Sequence, residues 1–323
     1  MMTLRRAVGA AATVGIGGLA WSVAETHRFR LREVTVPVAP QGAAPRRLLH
    51  LSDLHMIPRQ RDKQRWVRDL ARLEPDAVVV TGDFLADRHA VPYALEALAP
   101  LGQFPGMFVL GSNDYYAPTS INPLKYFSGP SALQQSRPVL PWGDLVAGLR
   151  SFGWLDLSNR NESLLLGDLS VALRGVDDPH IMLDRYEDVA GPFPTADLRV
   201  GVVHAPYLRV LNALTDDGAD LVIAGHTHGG QLCLPGGQAV VTNCDLPRSM
   251  AKGLHTYHPQ PARIARDRAD GAPPWLGPDV VDPAAQVPMH VSAGLGTSPY
   301  APVRFACPPE ATLLTLVAPP HNG

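Results

Sequence analysis

The sequence predicts an α/β protein, and three observations predict it. Short apolar runs rich in Val, Leu and Ile recur along the chain; segments with helical spacing stand between the first of them; and several runs end on Asp, Asn or His beside glycine. Strands alternating with helices read as βαβ units, whose strand ends share one edge of a sheet. Metal-binding or catalytic groups at the ends of adjacent strands can converge on one point.

In chain order, a short strand at Val34 to Val38 and a Pro/Gly loop precede the core pattern. The run Leu48 to Leu51 leads into Asp53-Leu54-His55. From Gln60 to Leu73 the apolar positions Trp66, Val67, Leu70 and Leu73 fall on one helical face, and Pro75 stops the segment. Ala77 to Val80 leads into Gly82-Asp83, a helix follows at Tyr93 to Leu98, and Met107 to Leu110 leads into Gly111-Ser112-Asn113-Asp114. Residues 115–142 are too long for an ordinary connection and predict a lid-like insertion, in which Tyr115, Tyr116, Tyr126, Phe127 and Trp142 form an aromatic lid or simply pack onto the core. A helix at Asp144 to Phe152 and strands at Trp154 to Leu157, Ser163 to Leu166 and Ser170 to Arg174 resume the order, and a second sheet is expected to start there. Val200 to Val203 leads into His204, and Leu221 to Ala224 into Gly225-His226-Thr227-His228-Gly229-Gly230. Residues 255–286 mix Pro, Arg, Asp, Ala and Gly without period and predict a flexible surface insertion. The chain closes with Met289 to Ser292, a Gly294 to Ser298 turn, Val303 to Phe305 and a strand at Ala311 to Val317.

A chain of 323 residues with 46% hydrophobic and 18% charged residues can bury a substantial core. Its formal charge of -2 gives no basic field, so no nucleic-acid partner is expected and a nuclease is disfavoured. Cys233, Cys244 and Cys307 form no CxxC pair; buried free thiols are favoured over a Cys233–Cys244 bridge.

The first residues speak to location. Met1 to Arg6 is basic, and Ala7 to Ala24 carries no charge, so residues 1–30 read as a signal anchor or transmembrane segment and 31–323 as the catalytic domain. Positive-inside reasoning puts that domain on the extracytoplasmic side of a cell membrane, although Arg28, Arg30 and Arg32 blunt the bias and leave the cytoplasmic face open.

A lone Asp-x-His or Gly-Asp is weak as a signal, because either flanks many turns by accident. Gly-His-Thr-His-Gly-Gly is stronger, since two imidazoles one residue apart between glycines can turn toward one cluster. Together the islands offer Asp53, His55, Asp83, Asn113, His204, His226 and His228, the candidate metal ligands. A pair of divalent ions needs such a set: a bridging carboxylate, terminal ligands and an open edge. Two-metal sites hold their ions about 3.5 to 4 Å apart, polarise a phosphoryl group and supply a hydroxide nucleophile near neutral pH. Mixed N/O ligation fits Mn, Fe, Zn or Co.

The order Asp-x-His, Gly-Asp, a Gly-Asn-His-Asp-like turn, His and Gly-His-x-His resembles the calcineurin-like metallophosphoesterases from about Leu48 to the C-terminus. The N-terminal apolar stretch, Leu51-Ser52-Asp53-Leu54-His55 and Gly225 to Gln231 look like its membrane-associated or exported bacterial branch, some members of which cleave the pyrophosphate of UDP-diacylglucosamine. The resemblance implies a four-layer αββα sandwich of two mixed β-sheets with a dinuclear site at strand ends. It implies that Asp53, His55 and His228 hold one metal, that Asp83 bridges, and that His204, His226 and Asn113 hold the other. Asp83, Asn113, Asp114 and Arg304 are the candidate catalytic residues, with the fork of Arg304 suited to substrate phosphate or equally to a structural role.

This chain departs from the family where Gly-Asn-His-Asp is written Gly111-Ser112-Asn113-Asp114. If Asp114 fixes the register, Ser112 takes the ligand place and Asn113 the histidine's; a local shift that restores Asn113 as ligand is chemically better, since a neutral Ser hydroxyl binds these ions poorly. Either way the histidine that would serve the leaving group is missing. General acid help is worth about 10² to 10⁴ in rate, so phosphoanhydrides and aryl phosphates, which need it least, are the favoured substrates. The first expectation is a membrane-bound dinuclear phosphohydrolase acting on a phosphate-containing small molecule or lipid-linked envelope precursor. The second is a catalytically weak metal- or phosphate-binding module. The other eight histidines, His27, His50, His89, His180, His255, His258, His290 and His321, belong to no motif and are expected to be structural or solvated.

Overall fold

Neighbouring residues of one strand point into different cores, and this alternation builds the layers. The computed structural model describes residues 15, 17–119, 137–262, 277, 282, 284–297 and 299–320. Strands β1 (Arg30–Pro37), β2 (Arg46–Leu51), β3 (Ala77–Thr81), β4 (Gly106–Val109), β5 (Leu155–Asp156) and β12 (Glu310–Val317) form one sheet in the order β1-β12-β2-β3-β4-β5. The second sheet combines β6 (Arg160–Leu166), β7 (Leu169–Gly175), β8 (Leu198–Val202), β9 (Leu221–Ala224), β10 (Gly253–Tyr257) and β11 (Val287–Val291) in the order β10-β11-β9-β8-β7-β6. Both are mixed: β2, β3 and β4 run parallel, as do β7, β8 and β9, while β12 pairs antiparallel with β2 and β6 with β7.

In β2 and β3, Leu49, Leu51, Val78 and Val80 face outward onto helices α2 (Arg61–Asp69), α3 (Val91–Leu98) and α5 (Trp142–Ser151), meeting Val67, Ala94, Leu98 and Leu149. The intervening Leu48, Ala77 and Val79 face inward and meet Val171, Leu173, Val200 and Ile223 of the second sheet. The far side of that sheet, Val222 and Ala224, packs on Val210, Leu211 and Leu214 of α6 (Leu208–Asp216). Helix, sheet, sheet and helix are the four layers expected. Parallel strands buried on both faces have no need of polar alternation, which is why they read as unbroken apolar runs.

Several boundaries differ from the sequence reading. β1 starts at Arg30, because its pairing with β12 fixes its length although most of its side chains are exposed. Leu155–Asp156 joins the first sheet through β4, so the second sheet begins only with β6. Gly253–Tyr257 is a strand held by β11, inside the stretch expected to be irregular. Residues 120–136 and 263–276, the middles of the two expected insertions, lie outside the described residues, as do Tyr126 and Phe127.

Residues 17–25 form a helix, α1, whose Glu25 carboxylate accepts the backbone N–H groups of Ala306 and Cys307, each at 3.0 Å. Leu19, Trp21 and Val23 on it are exposed. Among the described residues no helix is long and apolar enough to cross a membrane. The three cysteines are free and buried; Cys233 lies beside Cys307 rather than Cys244, with Lys252 Nζ 3.5 Å from each sulfur of that pair.

Candidate metal centre

All the motif residues sit where strands end at one edge of the sandwich. Asp53 and His55 follow β2, Asp83 follows β3, and Asn113 opens the short helix α4 (Ser112–Tyr115) after β4. From the second sheet, His204 follows β8 and His226 and His228 follow β9. The chain must turn sharply there, and the ligand residues themselves make the turn: φ is 50° at Asp53, 42° at His55, 54° at Asp83, 70° at His226 and 51° at His228. Left-handed backbone at non-glycine residues costs on the order of 1 to 3 kcal/mol each and persists where the surroundings impose it.

The turns bring the side chains together. Asp53, His55, Asp83 and His228 each offer an atom within 4.8 Å of the others. Asp83 is central: its Oδ2 lies 3.3 Å from His55 Nε2 and 3.6 Å from His204 Nε2. His228 Nε2 is 3.2 Å from His55 Nε2 and 3.6 Å from Asp53 Oδ1, and His226 Nδ1 is 3.3 Å from His204 Nε2.

Outer contacts decide which nitrogens are free. His204 Nδ1–H donates to the carbonyl of Thr81 at 2.6 Å and His228 Nδ1–H to that of Gly296 at 3.1 Å; His226 Nε2 faces the carbonyl of Asn243 at 3.4 Å. With those protons placed outward, the inward nitrogens present lone pairs to one another and to two carboxylates, an arrangement that a cation satisfies and nothing else in the cluster does. Asp53 Oδ1 is buried without a partner and faces the cluster, while Oδ2 accepts from Ser52 Oγ at 2.5 Å and from His226 N–H at 3.1 Å. This donor set fits divalent metal.

Burial sets the protonation states. It draws His226 down to about 3 and His55 down to about 4, so both stay neutral at neutral pH, the form that can ligate. Burial also opposes charge on His204, but the Asp83 carboxylate beside it more than compensates and lifts it. That pair therefore holds positive charge between the sheets, as a proton or as a metal ion.

The Asn113 turn resolves into distinct roles. Asp114 is buried; its Oδ2 accepts the N–H groups of Asp83 and Gly111, both at 2.9 Å, and its Oδ1 that of Leu85 at 3.1 Å. Those bonds make it an organiser of the loops. Asn113 lies against Asp83, but through nitrogen: Nδ2–H donates to Asp83 Oδ2 at 2.8 Å, and Oδ1 accepts from Arg137 at 3.0 Å. Ligation by Asn113 requires its amide to turn over. Arg304 also departs from the role of phosphate ligand. It is fully buried, and its Nη2 donates to the carbonyls of Ala293 and Gly296 at 2.7 Å, so it holds the turn behind His228.

Three features escaped the sequence reading. A buried chain links His290 Nδ1 to His50 Nδ1 at 2.9 Å, His50 Nε2 to Thr81 Oγ1 at 2.9 Å and Thr81 Oγ1 to Ser52 Oγ at 2.8 Å. Because Ser52 donates to Asp53, each hydrogen in the chain points toward that carboxylate. The His180 ring lies tilted against that of His226, centroids 4.6 Å apart, and Asp178, whose carboxyl burial raises to about 7, leaves Oδ2 unpartnered in the same region. Arg137 stands beside Asn113. His50, His290, His180, Asp178 and Arg137 belong to none of the strand-end motifs; only the apolar context of His50 and His290 hints that they are buried.

The family model for calcineurin-like phosphoesterases matches residues 46–230, which include every strand end that carries a candidate ligand. The chain belongs to that family and is a metal-dependent phosphoesterase. It is 28% identical over 212 residues to YpbG of Bacillus subtilis (strain 168), covering 64% of this chain and 68% of that one. It is 25% identical over 241 residues to the metallophosphoesterase YkoQ of the same organism, covering 72% and 80%. A Danio rerio protein named as a transmembrane protein with metallophosphoesterase domain is 29% identical over 216 residues, 62% of this chain but only 44% of the fish protein.

Proposed function

We propose that this chain is a dinuclear, membrane-associated phosphohydrolase that cleaves phosphoanhydrides or activated phosphodiesters, a pyrophosphate of the UDP-diacylglucosamine type being one substrate of that class. The observation that carries it is the convergence of four imidazoles on the Asp53 and Asp83 carboxylates, with the outer nitrogens of His204, His226 and His228 turned to backbone carbonyls. Asp53, His55 and His228 would hold one ion, His204 and His226 the other, with Asp83 between them and Asn113, in the orientation seen, linking Asp83 to Arg137. A bound pair of Mn, Fe, Zn or Co would activate water and draw charge from the phosphoryl group. The protein's own part is to hold neutral imidazoles, to fix both carboxylates and to keep the edge open.

Neither sequence neighbour of Asn113 is a histidine, so leaving groups that depart as stable anions are favoured. Residues 1–30 as an anchor for a 31–323 domain are supported by the uncharged Ala7 to Ala24 stretch, and the names of the vertebrate relatives agree with membrane attachment. An extracytoplasmic site would meet envelope lipids or their nucleotide-linked precursors.

The test is turnover by the full chain in detergent, since Glu25 of α1 is tied to the domain. Mn-loaded protein is compared on a bis-aryl phosphodiester, an aryl monoester and a nucleoside-diphosphate-linked lipid. Turnover that a chelator removes and metal restores is expected, with the anhydride or the diester ahead of the monoester. Metal binding without turnover on any substrate would leave a phosphate-binding module instead.

A further inference from the structure

We propose that Arg137 is the residue that grips the substrate's phosphoryl oxygens, at the place where the missing histidine of the Asn113 turn would act; the inference rests on the phosphohydrolase reading above. Arg137 lies 24 residues beyond Asn113 in sequence but returns to it in space. Main-chain pairing brings it back: Ala117 N–H donates to the carbonyl of Pro138 and Leu140 N–H to that of Tyr115, both at 2.8 Å, and Tyr116 bridges Val139. The guanidinium is then aimed by three contacts. Its Nε donates to the carbonyl of Ala117 at 2.8 Å, and Nη2 donates to the carbonyl of Tyr116 and to Asn113 Oδ1, each at 3.0 Å. Asn113 Nδ2 donates in turn to Asp83 Oδ2 at 2.8 Å, so one amide separates the guanidinium from the bridging carboxylate.

Among the described residues, Arg137 makes no ion pair, and its Nη1 has no hydrogen-bond partner. A half-buried guanidinium beside a metal cluster, with one amino group fixed and one free, matches the geometry of a phosphoryl oxygen acceptor. An arginine cannot act as a general acid at neutral pH, because it does not release its proton. It can stabilise negative charge that builds on the phosphoryl oxygens, and donors of that kind are worth about 10² to 10³ in rate. The substitution of imidazole by guanidinium therefore keeps the electrostatic half of the missing group's work and loses the protonation half. That division is what restricts the enzyme to leaving groups needing no proton.

The experiment compares wild type with Arg137→Ala, Arg137→Lys and Arg137→Met in the full chain, with metal content measured on each. Expected are unchanged metal content, weaker binding of inorganic phosphate by calorimetry, and a kcat/KM reduced about 100-fold by a similar factor across aryl phosphodiesters of different leaving groups. Added guanidinium should restore a large part of the Arg137→Ala loss and none of the Arg137→Met loss, a rescue that a merely structural arginine would not show. Phosphate affinity and kcat/KM equal to wild type in all three variants would overturn the assignment. If wild type turns over no substrate, the hydrolase reading fails, and phosphate affinity still decides the arginine: equal values in wild type and Arg137→Ala refute it.

Discussion

The imidazole of His204, from the second sheet, donates its Nδ1–H to the carbonyl of Thr81, the last residue of β3 in the first sheet, over 2.6 Å. One hydrogen bond thus ties the two sheets together at the site and leaves Nε2 as the nitrogen facing Asp83. Assembly of the fold and preparation of the ligand are the same event.

The hydroxyl chain behind Asp53 should matter for metal and little for fold. Thr81→Val or Ser52→Ala removes a link that points its hydrogen toward the carboxylate, and the loss of such outer partners lowers metal affinity by about 10- to 100-fold. Calorimetric titration with Mn measures it, and thermal melting should show the variant folded.

Gly225 leaves no room for a side chain. A Cβ there would come 1.9 Å from Ser52 Oγ, 2.8 Å from Thr81 Oγ1 and 3.0 Å from Asp53 Oδ2. Gly225→Ala should therefore cost about 1 to 3 kcal/mol by overpacking. It should also displace Asp53, so metal affinity falls together with the denaturant midpoint; a variant that melts like wild type and binds metal equally would contradict the geometry.

Much of this was readable beforehand, for a physical reason. Central strands such as Ala77–Thr81 and Leu221–Ala224 are buried on both faces, so their apolar runs stand out, and ligands at their ends sit beside the glycines that tight turns require. The rest depends on tertiary contact. Arg137 is placed by pairing across a long insertion, and β10 exists because β11 offers it an edge. Arg304 follows a glycine turn as a phosphate-binding arginine would, and nothing local reveals that five carbonyls surround it.

Lys63 should give the fold a pH-dependent stability. Its ammonium is buried against the carbonyl of Leu54 at 2.6 Å, and burial draws it down from 10.5 to about 7. Because the folded value lies below the unfolded one, the charged lysine destabilises the fold fully below pH 7, and that cost fades as pH rises toward 10.5. Stability should rise across that window with a slope of at most about 1.4 kcal/mol per pH unit. Lys63→Met should abolish this slope in denaturant titrations and raise stability at pH 7; an unchanged slope would assign it to another group.

Arg209 and Asp184 form a buried ion pair between α6 and the loop after β7, with a second contact from Nη2 to Oδ1 at 2.9 Å. Removing one partner strands the other's charge, so Arg209→Met should lose about 3 to 5 kcal/mol. The double variant Arg209→Met, Asp184→Leu should recover part of that loss in the same denaturant titration, and no recovery would show that the pair is not an isolated unit.

The central claim is that Asp83 joins two metal sites, and metal stoichiometry tests it most directly. The full chain, stripped with chelator, reloaded with Mn and passed through a desalting column, should retain two ions per chain, while Asp83→Asn should retain fewer and lose metal-dependent turnover. Wild type that retains no metal, or an Asp83→Asn variant that retains the same two ions and the same turnover, would contradict it.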